Sequence, residues 1–309
     1  MGPFREKDMK RAGLAGVFLI AILVPFFLNQ YWLHVAIISL FYVMMASSWN
    51  LIAGYTGQVS FAHAAFAGVG AYTSGMLALY GGVHPALGII AGTLLAGVLG
   101  LGLGGLCIRM GGIYLSLTTL GFSEILRIII TNEEQWTRGT MGLQIPGVFS
   151  VYSKTHYYFL FLAVTLAFLV LMRRLLNSDT GLAFRAVLND ELAASTSGID
   201  TVRVRLMAFT SSSAMAGLAG GLYGHYLMLI TPDIPSLGQM FLVLAMAVIG
   251  GMGSFAGPII GAIALEFLSE YIRIYGEYHL LLFGLVALVI ARFAPSGIVG
   301  LWEKIWRRR

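Results

Sequence analysis

The chain has 309 residues, 58% of them hydrophobic and only 11% charged, with a net charge of +5. A soluble domain usually carries about 25% charged residues, so this composition is that of a polytopic membrane protein. The basic residues sit at the edges of apolar runs, which sets orientation and gives no reason to invoke nucleic acid; the single Cys107 excludes an intrachain disulfide or a cysteine-rich metal site.

A basic start (Arg5, Lys7, Lys10, Arg11) precedes an apolar run over 12–28. The run ends PFFLNQYW, without a small-x-small cleavage site, so it reads as an uncleaved first span. Further spans are predicted over 33–53, 59–80, 86–108, 113–131, 156–172, 206–230, 238–252, 256–274 and 279–293. The expected fold is all-α: one glycine-rich transmembrane domain over 1–309 with about ten transmembrane or re-entrant helices. The run 238–252 is too short to cross straight, and broken helices are tolerated where protein covers the freed backbone.

Glycine breaks interrupt the apolar runs at GYTGQVS (54–60) and GGMGSFAGP (250–258). They hint at two related halves, as in transporters built from internal repeats. Gly54, Tyr55, Gln58 and the nearby His63 are candidates for a pathway lining or gate. The plain alternative for His63, a lone histidine among small residues, is helix packing. In the fourth span Gly88, Gly92, Ala96, Gly100 and Gly104 recur every four residues, a smooth strip suited to close helix contact. Ser212, Ala216, Gly220 and Gly224 form a second strip. Glu124 and Arg127 stand one helical turn apart in the fifth span and are expected to pair. They read either as a register-fixing ion pair or as a pathway or gate. Glu266 lies in the ninth span without an obvious local partner, and snorkelling is its plain reading. The six histidines show no metal-ligand spacing and no catalytic constellation is visible, so catalytic and metal residues are predicted as none. Gly100, Gly102 and Gly105 match GxGxxG only formally, inside a span with no strand before it. None of the four lysines completes a P-loop, so this chain is not expected to hydrolyse ATP.

The long polar segment 173–205 carries five arginines and four acids between apolar runs. Charges at mid-bilayer cost roughly 2.5–3.5 kcal/mol each on insertion scales, so it must lie in water or at an interface. Its middle reads as a short amphipathic helix, capped by Asp179 or Thr180 and ended by Gly198. Leu182, Val187, Leu188 and Leu192 fall near helical spacing, with Arg185, Asp190 and Glu191 as polar positions. Such a helix either lies on headgroups or docks a cytosolic partner. With ten crossings, 15 of the 19 Lys and Arg fall on one side, together with both termini and the 173–205 segment. The positive-inside rule makes that side cytoplasmic. The outer side keeps two short segments, 132–155 and 231–235.

Six runs then carry a specific resemblance: NLIAGYTGQVSFAHAAFAGVGAYTSGML (50–77), GGIYLSLTTLGFSEILRIII (111–130), TRGTMGL (137–143), GLAFRAVLNDELAASTSGID (181–200), AGLAGGLYGHYLMLITPD (216–233) and AMAVIGGMGSFAGPIIGA (245–262). In order and over nearly the whole chain, they resemble the permeases of branched-chain amino acid ABC importers, more closely the M-type subunit. The resemblance implies a bacterial or archaeal cytoplasmic membrane. It implies as partners a second, H-type permease, two cytosolic ATPases that bind ATP and Mg, and an extracytoplasmic substrate-binding protein, with no cofactor in this chain. It also implies that the helix around 181–198 is a coupling helix. Ala193, Ala194 and Gly198 fit the loose A-A-x-x-x-G core of importer coupling loops, with Arg185, Asp190 and Glu191 beside it. Arg138 stands where relatives commonly have a second glycine. Relatives also carry urea, amides, other amino acids and aromatic acids. The rival reading is an ion-coupled secondary transporter or channel acting without an ATPase, for which Glu124 and Glu266 would be the coupling acids.

Overall fold

The computed structural model describes residues 21–108, 110, 112–278, 284–285, 292 and 297–300. The basic N-terminus, Arg109, the C-terminal WEKIWRRR, most of the run 12–28 and most of 279–293 lie outside the described residues. Ten α-helices lie within residues 30–272: α1 (Gln30–Thr56), α2 (His63–Tyr80), α3 (Pro85–Cys107), α4 (Gly112–Asn132), α5 (Lys154–Leu176), α6 (Asp179–Asn189), α7 (Glu191–Thr196), α8 (Thr201–Leu227), α9 (Leu237–Gly251) and α10 (Gly257–Ile272). Two 3₁₀ turns (Gly139–Met141 and Arg273–Tyr278) and one two-residue antiparallel pair, β1 (Leu143–Gln144) with β2 (Leu229–Ile230), complete them. Among the described helices α1, α3, α4 and α5 are long and apolar enough to cross a membrane, while α9, at 15 residues, is a shorter apolar helix.

Local chemistry sets the helix ends. Asn29 caps α1, its side chain accepting from the Trp32 amide, and Gly57 ends it at φ 72°. That left-handed conformation is open to glycine at no steric cost. The following turn delays α2 to His63 rather than 59. It is held because the Trp49 indole donates to the Ser60 carbonyl (2.8 Å) and the Ser116 hydroxyl donates to the Val59 carbonyl (2.8 Å). Asp200 caps α8 through the Arg203 amide, which starts that helix at 201 rather than 206. Arg138 adopts φ 59°, a region costly for a residue with a Cβ; this is the position where glycine was expected from the resemblance.

Packing is built around α1 and α8. In the most apolar stretch of α1, 89% of the residues are buried, against 22% in α4. A helix apolar all round belongs in the centre of a bundle. α8 has two small-residue faces. One meets α3: a methyl group added at Gly217 would collide with Ala96, and one at Gly100 with Ser213. The other meets α2, where a methyl group at Gly220 would collide with the Ala67 carbonyl. Ser212 and Ala216 on α8 are buried as well. The predicted strip on α3 is buried at all five positions, Gly88, Gly92, Ala96, Gly100 and Gly104. Its partners on α8 are Phe209, Ser213 and Gly217, one position on from the second strip. Two buried hydrogen bonds bolt α2 to α8. His63 Nε2 lies 2.5 Å from the Ser212 hydroxyl, which donates to the Ser48 carbonyl of α1 and so accepts from the ring. Thirteen residues further along α8, His225 donates from Nδ1 to the Pro146 carbonyl (2.7 Å) and accepts from Ser74 (2.6 Å).

These contacts make Gly70→Leu destabilising, because even a methyl group there meets the Gly217 carbonyl. Overpacking of this kind costs about 1–3 kcal/mol or more. Gly102→Leu, with open space around its α-carbon, is expected to be neutral. Thermal unfolding of the two variants in one mild detergent checks this; equal melting temperatures would refute the packing.

Candidate functional site

The polar segment 173–205 folds at one end of the bundle, between α5 and α8. α5 turns into α6 so tightly that a methyl group at Gly181 would collide with the Leu176 carbonyl. The expected single helix is instead two. Ser178, not Asp179 or Thr180, occupies the N-cap position of α6. Asp190 is extended (φ −160°, ψ 108°), and its carboxylate accepts from the Ala193 amide to cap α7. Aspartate is a poor interior helix residue and a strong N-cap, so it breaks the helix where it stands. Gly198 lies just beyond α7 at φ 86°. The apolar positions also divide: Gly181, Phe184 and Val187 are buried against the bundle, whereas Leu182, Leu188 and Leu192 are 60%, 42% and 75% exposed. Ala194 is buried and Ala193 exposed.

Three contacts tie this unit to the bundle. The Arg185 guanidinium lies 5.9 Å from the centre of the Tyr55 ring at the end of α1, within range of a cation–π attraction. Leu188 lies against Gly57. Glu191 on α7 pairs with Arg205 at the base of α8, at 2.6 Å.

The end of α1 in turn meets the α9–α10 turn. The Asn50 amide donates to the Ser254 carbonyl (2.9 Å), and its oxygen accepts from the Gly253 amide (2.8 Å). A β-carbon at Gly54 would sit 2.6 Å from the Gly253 nitrogen. The two glycine breaks, some 200 residues apart, are therefore one junction. Arg173 at the end of α5 reaches the same turn, 5.9 Å from the Phe255 ring centre. Sequence reading passed over Asn50; the signal was an amide inside an apolar run, where its hydrogen bonds must go to protein.

The other predicted residues fall in different places. Gln58 is buried below this junction, its side-chain oxygen without a hydrogen-bond partner among the described residues. It lines a small pocket of about 50 Å³ with Arg205 and Cys107. His63 is fully buried between α1, α2 and α8. Glu124 and Arg127 form an ion pair on α4, about one third exposed, and among the described residues neither forms a hydrogen bond or ion pair with residues 50–58. Among the described residues no group of three His, Cys, Asp or Glu could hold a metal ion.

Residues 31–291 match the family described as branched-chain amino acid transport system, permease component. The chain is 30% identical to the high-affinity branched-chain amino acid transport system permease protein LivM of Escherichia coli, over 92% of this chain and 74% of that protein. It is 26% identical to the probable branched-chain amino acid transport permease protein LivM of Methanocaldococcus jannaschii, over 84% of this chain and 90% of that one. Its identity to the E. coli permease protein LivH is 28%, over 84% and 91%. No solved structure matches.

Asn50→Leu leaves the Gly253 amide and Ser254 carbonyl without their partner. Each such bond contributes about 0.5–1.5 kcal/mol net. Faster hydrogen–deuterium exchange across 250–256, with α3 unchanged, is the expected result; unchanged exchange in that turn would overturn the role given to Asn50.

Proposed function

This chain belongs to the branched-chain amino acid transport permease family, a family of non-catalytic membrane subunits, and we propose that it forms one half of the translocation pathway of an ATP-driven importer for branched-chain or related amino acids. In this reading residues 1–309 are one transmembrane permease domain with both termini cytoplasmic. The 173–205 segment is its cytoplasmic coupling loop. A second, H-type permease completes the pathway, and two cytosolic ATPases bind ATP and Mg. An extracytoplasmic binding protein delivers the substrate at the opposite end, where residues 143–144 and 229–230 pair.

The observation that carries the reading is the α6–α7 unit. It is anchored by Phe184 and Val187, yet Leu182 and Leu192 stand 60% and 75% exposed beside Arg185 and Glu191. Exposed leucines set among charges mark a surface that a partner covers. An ATPase holding this surface can bias the bundle only if its contacts differ between two states. Movement of α6 would pass to α1 through Tyr55 and Gly57, to α8 through Arg205, and from α1 to the α9–α10 turn through Asn50. Gly54, Tyr55 and Gln58 would then form the inner gate, with His63 as a packing group.

The Glu124–Arg127 pair is assigned to the face toward the second permease. It sits in the middle of α4, about one third exposed. Even a paired charge facing hydrocarbon is costly, and intramembrane charges turn toward protein or a water-filled path.

Arg185→Glu and Glu191→Lys are expected to leave the chain inserted and ATP hydrolysis by the assembled complex intact. Leucine uptake into proteoliposomes should fall by on the order of tenfold, within the usual range of coupling energies. Unchanged uptake in both variants would end this assignment.

A further inference from the structure

At the end of the bundle opposite α6 and α7, a cavity of about 300 Å³ opens between α1, α8, α9 and α10. Glu266 of α10 lines it. This residue is only 9% exposed, and its carboxylate accepts no hydrogen bond and enters no ion pair among the described residues. The neighbouring charges are already committed. Glu270 accepts from the Tyr31 hydroxyl and pairs with Arg273 at 3.0 Å. His34 is bonded through Nδ1 to the Tyr226 hydroxyl, and Tyr42 donates to the Gln239 side-chain oxygen at 2.8 Å. The described lining therefore holds two carboxylates against one guanidinium; both carboxylates are buried, Glu266 at 9% and Glu270 at 6% exposed, and Glu266 is the one left uncompensated.

We propose that this cavity binds a primary ammonium group, with the Glu266 carboxylate as its counter-ion. A buried, unpaired carboxylate is strongly disfavoured and is stabilised by a cation that enters with its own hydrogen-bond donors. The rings of Tyr42 and Tyr223 border the same space, and aromatic walls favour an organic cation. Val35, Ile38 and Leu242 supply an apolar wall for its carbon chain. A bare metal cation fits worse, since calcium requires about six to eight oxygen ligands in a closed shell and the carboxylates here are split between one free and one already paired. Two sources offer this chemistry: the α-ammonium of a free amino acid and the headgroup amine of an ethanolamine phospholipid. The inference goes beyond the coupling assignment and does not depend on it, because it concerns binding by this chain without an ATPase.

The test uses the full chain in nanodiscs of phosphatidylcholine and phosphatidylglycerol, which carry no primary amine, with radiolabelled methylammonium as the probe. Saturable binding is expected, weakened by on the order of tenfold or more in Glu266→Gln and unchanged in Glu134→Gln, an exposed loop carboxylate. Should Glu266→Gln fail to fold, the wild-type protein still decides: methylammonium chloride should raise its melting temperature where equimolar potassium chloride does not. Displacement of the label by leucine supports the site and identifies a free amino acid as its source. Displacement by phosphatidylethanolamine added to the nanodiscs supports it and identifies a lipid. Absence of saturable binding by folded wild-type protein, binding unchanged in a folded Glu266→Gln, or equal displacement by potassium would overturn the proposal.

Discussion

The Asn50 amide holds the end of α1 to the turn between α9 and α10 through one donated and one accepted hydrogen bond. The Asn50 side chain is itself fully buried, so its amide cannot exchange these partners for water and their loss leaves it unsatisfied. Gly54 makes the approach sterically possible, since a side chain there would meet the Gly253 nitrogen. Everything else at this end is arranged about that junction. Tyr55 and Gly57 lie one turn beyond it and meet α6, and Arg173 reaches its far side from α5.

The rest of the bundle is held by close approach rather than by large apolar side chains. Lipid tails are as apolar as leucine, so burying leucine between membrane helices gains little; backbone proximity and interhelical hydrogen bonds do the work instead. α8 illustrates both. Gly217 and Gly220 bring it against α3 and α2, and the His63–Ser212 and Ser74–His225 bonds fix its register at two levels.

Charge within the apolar helices is handled in three ways. Glu270 is compensated on its own helix by Arg273 and receives a hydrogen bond from Tyr31. Glu124 is compensated by Arg127, but the pair stays partly exposed on a peripheral helix. Glu266 is enclosed and has no counter-charge of its own among the described residues. Self-sufficient pairs serve a fold, whereas partial exposure and missing compensation both point outward, to something the chain does not contain. Glu191 and Arg205, at the water-facing base of α8, form a fourth arrangement in which a pair joins two elements end to end.

Helix positions were legible in the sequence because hydrophobic length, Asn and Asp caps and glycine punctuation are local signals. α1, α3 and α4 differ from their predicted limits by three residues or fewer at each end. The family was legible too, since its motifs are contiguous runs. The break at Asp190 was less so: leucine spacing reads through it, and only the backbone decides that the aspartate caps a second helix. The contact strips were visible as small residues every four positions, but which face of α8 each one meets depends on how three helices cross. Asn50 and Glu266 mark the limit most clearly. Each is a polar residue in an apolar run; the sequence reading passed over the first and left the second free to snorkel. That Asn50 finds its partner in a backbone turn some 200 residues away, while Glu266 meets a cavity, was decided only by the tertiary structure, because hydrogen bonds and charge compensation depend on distance in space and leave no periodic trace along the chain.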